Sequence, residues 1–406
     1  MRKTDPPHAV DNDAKELVRL CRAGRLYEIE KWINDGKPLE TSGTSKRGRP
    51  RSLLDVAVEG GFHSLVELIA KHEASRSAKD AALRAAVSLR KLDLVELLLA
   101  NGADIKSVPL THVLLTWEPT LIRFFLDRGA DPVEGRPFAE AFGLRVRTAL
   151  RPFVEYKRAH PELAAALQEQ LDCALRHFCG EGDLKWVSLL MWAGGDPRSR
   201  GPCLVKEYTE DPECYTSGLE EACHSETLDV LKKLKPDPSR DNLTELLGWA
   251  AIWGRKETLE YLLQIGANPN DKATGGSSAL DTVLRDFRVV RFDAYNWKRL
   301  KSKYEVSRSL ECVRVLLAHG AIWNPEESYE LNCLRRTLLE CEPDVTIELF
   351  KLFREHNVCP AARVHRLLGT PRMKDHLKPA TNALLRLGIH LDAGRNASRQ
   401  GPSSRA

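Results

Sequence analysis

Five short stretches of this chain repeat one pattern, and no other feature limits its fold as much. They close on Gly102-Ala103-Asp104, Gly129-Ala130-Asp131, Gly194-Gly195-Asp196, Gly266-Ala267-Asn268 and Gly320-Ala321. Each follows the apolar end of an amphipathic helix, as in Leu97 to Leu99 or Phe124 to Leu126. Glycine enters the left-handed region freely, so it ends a helix and turns the chain sharply. Recurrence at intervals of roughly 30 residues means one small unit stacked many times. Such an array functions by presenting a surface, and the first question is what it binds.

The totals narrow the question further. A net charge of +4 on 406 residues is too small to imply nucleic-acid or membrane binding by itself. No apolar run approaches the ~18 residues that would cross a bilayer. The first 18 residues contain no apolar core of a secretion signal, so a cytoplasmic location is expected. Ten cysteines are scattered with no CxxC pair, which fits small buried apolar groups in a reducing compartment better than a disulfide framework.

The unit is clearest at its eighth copy. A first helix buries Leu247, Ala250 and Ala251, and Gly254 closes it. A second helix buries Leu259, Leu262 and Leu263 before Gly266 closes that one in turn. Neither helix is long enough to be stable alone in water, so stacking must supply the stability. This pattern resembles the ankyrin repeat, with its opening Leu, paired Ala, inter-helix Gly and closing Gly-Ala-Asp. Repeat three carries it in Leu83-Arg84-Ala85-Ala86 and again through Asp104, with Arg90 where the family has its inter-helix Gly. Repeat seven keeps Leu219 and Ala222 but ends on a proline-stopped Lys235-Pro236. The resemblance implies an all-α ankyrin-type solenoid of about ten or eleven stacked helix-turn-helix repeats over 12–392. It thins at 136–167, which is expected to be a weak joint, and beyond 325.

Other stretches depart from the unit. Residues 1–11 and 393–406 have little apolar to bury and are expected to be disordered. The loop at 42–52 is basic, and its Arg47-Gly48-Arg49-Pro50 core, followed by Arg51, resembles the AT-hook of minor-groove binders. Paired arginines suit the negative potential of a narrow minor groove. A solvated basic turn has the same composition, so DNA contact stays the alternative. The insertion at 285–304 interleaves Phe287, Phe292 and Trp297 with Arg288, Arg291 and Arg299. Trp and Arg dominate binding hot spots, which makes Trp297 and Arg299 candidates for a protein contact.

Signatures of catalysis are missing: no phosphate-binding glycine loop, no HExxH, no GxSxG. Cys173, His177 and Cys179, and His356, Cys359 and His365, have loosely metal-like spacing. Zinc needs three or four converging ligands, and Cys179 falls on the small-residue position that stacks into an ankyrin core. No cofactor and no metal is expected.

In the family, the two residues before the inter-helix Gly face a concave groove and vary with the partner. Here the row includes Ser88 and Leu89, Leu115 and Thr116, and Gly180 and Glu181, and is mostly small or polar until it reaches Ile252 and Trp253. Those two side chains are costly to leave wet, at about 25 cal/mol per Å². The expectation is a non-catalytic, monomeric scaffold holding one protein partner. Ile252 and Trp253 would lie at the centre of that contact, with His224 and Glu181 on its polar side.

Overall fold

The computed structural model describes residues 7–39, 52–202, 215–285, 303–323, 328–358, 367–389 and 391. Among the described residues it is all-α, apart from one two-residue β-ladder. Ten helix pairs follow one another, from Pro7–Arg22 with Leu26–Asn34 to Ser328–Glu340 with Pro343–Glu355. A shorter pair, Pro371–Leu377 with Thr381–Arg386, follows among the described residues. The first helix begins at Pro7, upstream of the boundary expected at residue 12. The arginines of the basic loop (Arg47, Arg49, Arg51), Trp297, Arg299 and the segment 393–406 lie outside the described residues.

Local signals set the ends of these helices. Ser52 and Asp55 form a reciprocal cap on Leu53–Gly60, as do Ser217 and Glu220 on Gly218–His224. The Asn242 side chain accepts from the Glu245 amide at the start of Leu243–Ile252. In this repeat the apolar stripes fall as expected: Leu247, Ala250, Ala251, Leu259, Leu262 and Leu263 are all buried. Gly254 and Gly266 both take positive φ at the turns. Helix Leu243–Ile252 packs on Gly218–His224 before it and on Ala279–Arg285 after it, first helix against first helix.

Backbone packing divides the chain into two compact units, Met1–Ala174 and Leu175–Ala406. In the first, the segment 136–167, where the signature was expected to thin, keeps the paired-helix plan. It holds a fifth helix pair, Pro137–Gly143 with Leu150–Ala159. That pair closes on three fully buried rings, Phe138, Phe142 and Phe153, with centroids 4.9 to 6.0 Å apart. The signature glycines are gone, and aromatic packing takes the place of the usual leucine and alanine stripe.

In the second unit, residues Gly201–Pro202 pair antiparallel with Tyr215–Thr216, Gly201 opposite Thr216. Arg176, wholly buried, holds the base of this ladder by donating to the carbonyls of Ser199 and Pro202 at 3.2 Å each. Nothing in the residues around Arg176 signalled this role. Beyond it, Arg198 makes two 2.8 Å bonds to the Asp241 carboxylate, which also accepts from the Asp237 amide at 2.7 Å. Repeats six, seven and eight are thereby joined through their connecting turns as well as their helices.

Candidate functional site

The residues expected to meet a partner in the second compact unit lie at the ends of the first helices of three successive repeats. Glu181 is the last residue of Ala164–Glu181, His224 the last of Gly218–His224, and Ile252 the last of Leu243–Ile252. First helices of equal register stack side by side in such an array, so their ends form a row.

Close packing fixes the row. A Cβ on Gly180 would stand 2.8 Å from the Glu221 carboxylate, so a side chain there would displace that carboxylate. Glu221 is itself held by the Thr216 hydroxyl at 2.7 Å. Arg255 reaches back from the eighth repeat and donates to the His224 carbonyl at 2.8 Å. Its guanidinium also lies 3.4 Å from Glu226.

Within this frame Ile252 is exposed, at 37%. Trp253 is half-buried, and its ring lies against the His224 imidazole with centroids 4.0 Å apart. Glu181 is exposed and stands 3.5 Å from His177. His224 lies 3.9 Å from Glu221. The arrangement is an apolar pair with a ring stack on one side and acidic groups on the other. It has the composition of a recognition surface.

Cys173 and Cys179 are buried, and His177 is engaged with Glu181. Burial, with Glu221 nearby as the lesser cause, pushes the Cys179 thiol well above the usual range. Among the described residues no group of three metal-type side chains converges. Cys359 and His365 lie outside the described residues.

In the first unit the expected row included Leu89 and Leu115, both exposed, but Trp117 and Leu144 were passed over. Leu89, Trp117 and Leu144 are exposed at the same inter-helix turns. The turn itself is left-handed at Arg90, Trp117 and Arg145, with φ of 59°, 63° and 61°. The available signal was spacing: each stands where its neighbours in the array carry glycine, as Gly24 and Gly61 do.

Residues 241–274 match the ankyrin repeat family model. No curated protein matches the sequence. Among solved structures, the ankyrin repeat domain of Bcl-3, described as a unique member of the IκB protein family, is 15% identical. That likeness covers 76% of this chain and 99% of the other, with a TM-score of 0.28. The ankyrin repeat domain of human ASB11 is 17% identical over 76% and 99%, with a TM-score of 0.23. Scores this low leave the fold to rest on the helix pairs and on the matched repeat. No described helix is long and apolar enough to cross a membrane. One repeat is matched in sequence, the same helix pair recurs on either side of it, and the chain has an all-α fold of the ankyrin-repeat type.

Proposed function

We propose that this chain is a non-catalytic protein-binding module that acts as a monomer in the cytoplasm, and that repeats six to eight grip the partner. One observation carries the reading: Glu181, His224 and the Ile252–Trp253 pair gather at the ends of the first helices of three interlocked repeats. A partner covering Ile252 and the open edge of Trp253 would remove apolar area from water at about 25 cal/mol per Å². His224 backs the indole, so the ring is oriented before binding and less rotamer entropy is lost on association.

Trp253→Ala in the full chain tests the reading, with melting and binding to the co-purified partner measured on the same sample. Binding should weaken by about 2 kcal/mol, as for a central hot spot. Stability should fall by only about 1 kcal/mol, the worth of one aromatic pair. A loss of about 3–5 kcal/mol in stability, with normal binding by the folded fraction, would make Trp253 a core residue and sink the proposal. Affinity for the partner should change little between low and moderate salt. A steep fall, traced to duplex DNA, would favour the basic loop instead.

A further inference from the structure

The apolar pair Ile252–Trp253 is framed by carboxylates. Over the inter-helix turns of repeats six to eight, 180–183, 221–227 and 252–255, the sequence carries Glu181, Asp183, Glu221 and Glu226 against one arginine, Arg255. Exposure differs in the same sense. The Glu226 and Glu181 side chains are 70% and 40% exposed. Arg255 is 14% exposed and is turned inward onto the His224 carbonyl. Water beside Ile252 and Trp253 therefore meets a negative surface.

Each carboxylate is steadied by a neighbour. Glu226 lies 3.4 Å from Arg255 and 3.9 Å from Arg308. Glu181 stands beside His177, and Glu221 accepts from the Thr216 hydroxyl. Asp183 accepts from the Trp186 amide at 3.1 Å. Lys256, the next cation along the eighth repeat, is paired with Glu311 at 3.1 Å. These contacts orient the carboxylates without exhausting them, since an ionised carboxylate offers about four acceptor sites. Glu226, so oriented and largely in water, has room for a further donor. Leu184, exposed at the start of helix Leu184–Trp192, adds an apolar point three residues from Glu181.

We infer that the Ile252–Trp253 pair seats a basic segment of a partner protein, in which an aliphatic or aromatic side chain is flanked by Arg or Lys. The apolar side chain covers Ile252 and the indole. The cation meets Glu226 or Glu181, where a guanidinium bonds both carboxylate oxygens. Charges at the edge of a contact select the partner more than they strengthen it, because like charges brought together cost several kcal/mol. The surface thus refuses acidic segments and phosphate backbones. Salt moves the affinity of the right partner only modestly, since exposed ion pairs contribute little. The inference rests on the reading that repeats six to eight bind protein, and adds the chemistry of what they bind.

A random dodecapeptide display library selected on the immobilised full chain provides the test, followed by titration of the enriched peptides. Enriched sequences should place Arg or Lys beside Leu, Ile, Phe or Trp, and Trp253→Ala should weaken them tenfold or more. Replacing the cations of an enriched peptide by Glu should also weaken it tenfold or more. Much of that loss should be recovered on the double variant Glu181→Gln with Glu226→Gln, which in turn should bind the original peptide several-fold less well. The swap made in the peptide leaves the chain untouched, so its result holds even if a variant melts early. Enriched peptides that lack cations yet are lost on Trp253→Ala would overturn the inference and leave the protein-binding reading standing. Equal binding of the charge-swapped peptide would do the same. Peptides indifferent to Trp253→Ala, or no enrichment over the bare support, would also overturn it. The protein-binding reading would fall with it if Trp253→Ala spares the co-purified partner too. Displacement of the peptides by a duplex DNA fragment at comparable concentration would overturn the inference in favour of nucleic acid.

Discussion

At the scale of single residues, backbone conformation and side-chain identity conflict at the turns of the first compact unit. Arg90 adopts φ of 59° at a site where an L side chain crowds its own carbonyl, at a cost of about 1–2 kcal/mol. Arg90→Gly should therefore stabilise the chain by about 1 kcal/mol in urea unfolding. A destabilised variant would mean that the Arg90 side chain makes a packing contribution larger than the strain. His112 offers a second handle. Burial, and next the nearby Arg84, push its pKa down, so the fold favours the neutral imidazole. Below about pH 6.5 the unfolded chain takes up this proton more readily than the folded one. The His112 contribution is thus present above that pH and is lost as pH falls through the lower folded value. His112→Gln should flatten the decline in stability between about pH 6.5 and 5. An unchanged slope, measured by urea unfolding at each pH, would remove His112 from the acid response.

At the scale of elements, the fifth helix pair shows how a repeat survives without its signature. The inter-helix turn is made by Arg145 rather than glycine, and the second helix ends at Ala159 with His160 as its cap. Three rings fill the space, Phe138 and Phe153 packing edge to face at 4.9 Å. Phe153→Ala should cost about 3–5 kcal/mol, the range for a fully buried aromatic ring. A cost below about 1 kcal/mol would mean that the pair collapses around the gap and that the expected weak joint lies here after all. The periodic helices of repeat eight were readable because glycine and leucine stood at fixed offsets. The fifth pair was not, because its packing depends on rings facing each other from different helices. The ladder between Gly201–Pro202 and Tyr215–Thr216 escaped for a related reason: two residues per strand leave no alternating pattern to detect.

At the scale of the whole molecule, a stack in which each repeat touches only its neighbours should confine damage. In hydrogen exchange, Phe153→Ala is expected to lower protection in Pro137–Gly143 and Leu150–Ala159. The amides of Leu243–Ile252 and Lys256–Gln264 should stay as protected as before. A uniform loss across both regions would show one cooperative block in place of a graded array. Connections between neighbours are reinforced at the turns in repeats six to eight, where Arg198 with Asp241 and Arg255 with the His224 carbonyl cross from one repeat to another.

Helix pairs, their buried stripes and most of their turns could be read directly from the order of residues. These depend on short-range rules: 3.6-residue periodicity, a left-handed stop and a small residue where helices meet. The candidate row at Glu181, His224 and Ile252 followed from the same register, carried from one repeat to the next. Its finer character did not, since Trp253 proved half-buried against the ring of a residue one repeat away. The burial of Arg176 beneath carbonyls 23 and 26 positions further on was likewise unreadable. So was the choice of which leucines remain in water at the turns around Arg90, Trp117 and Arg145. Exposure and partnership belong to pairs of residues distant in the chain, and only the packing of one repeat on another decides them.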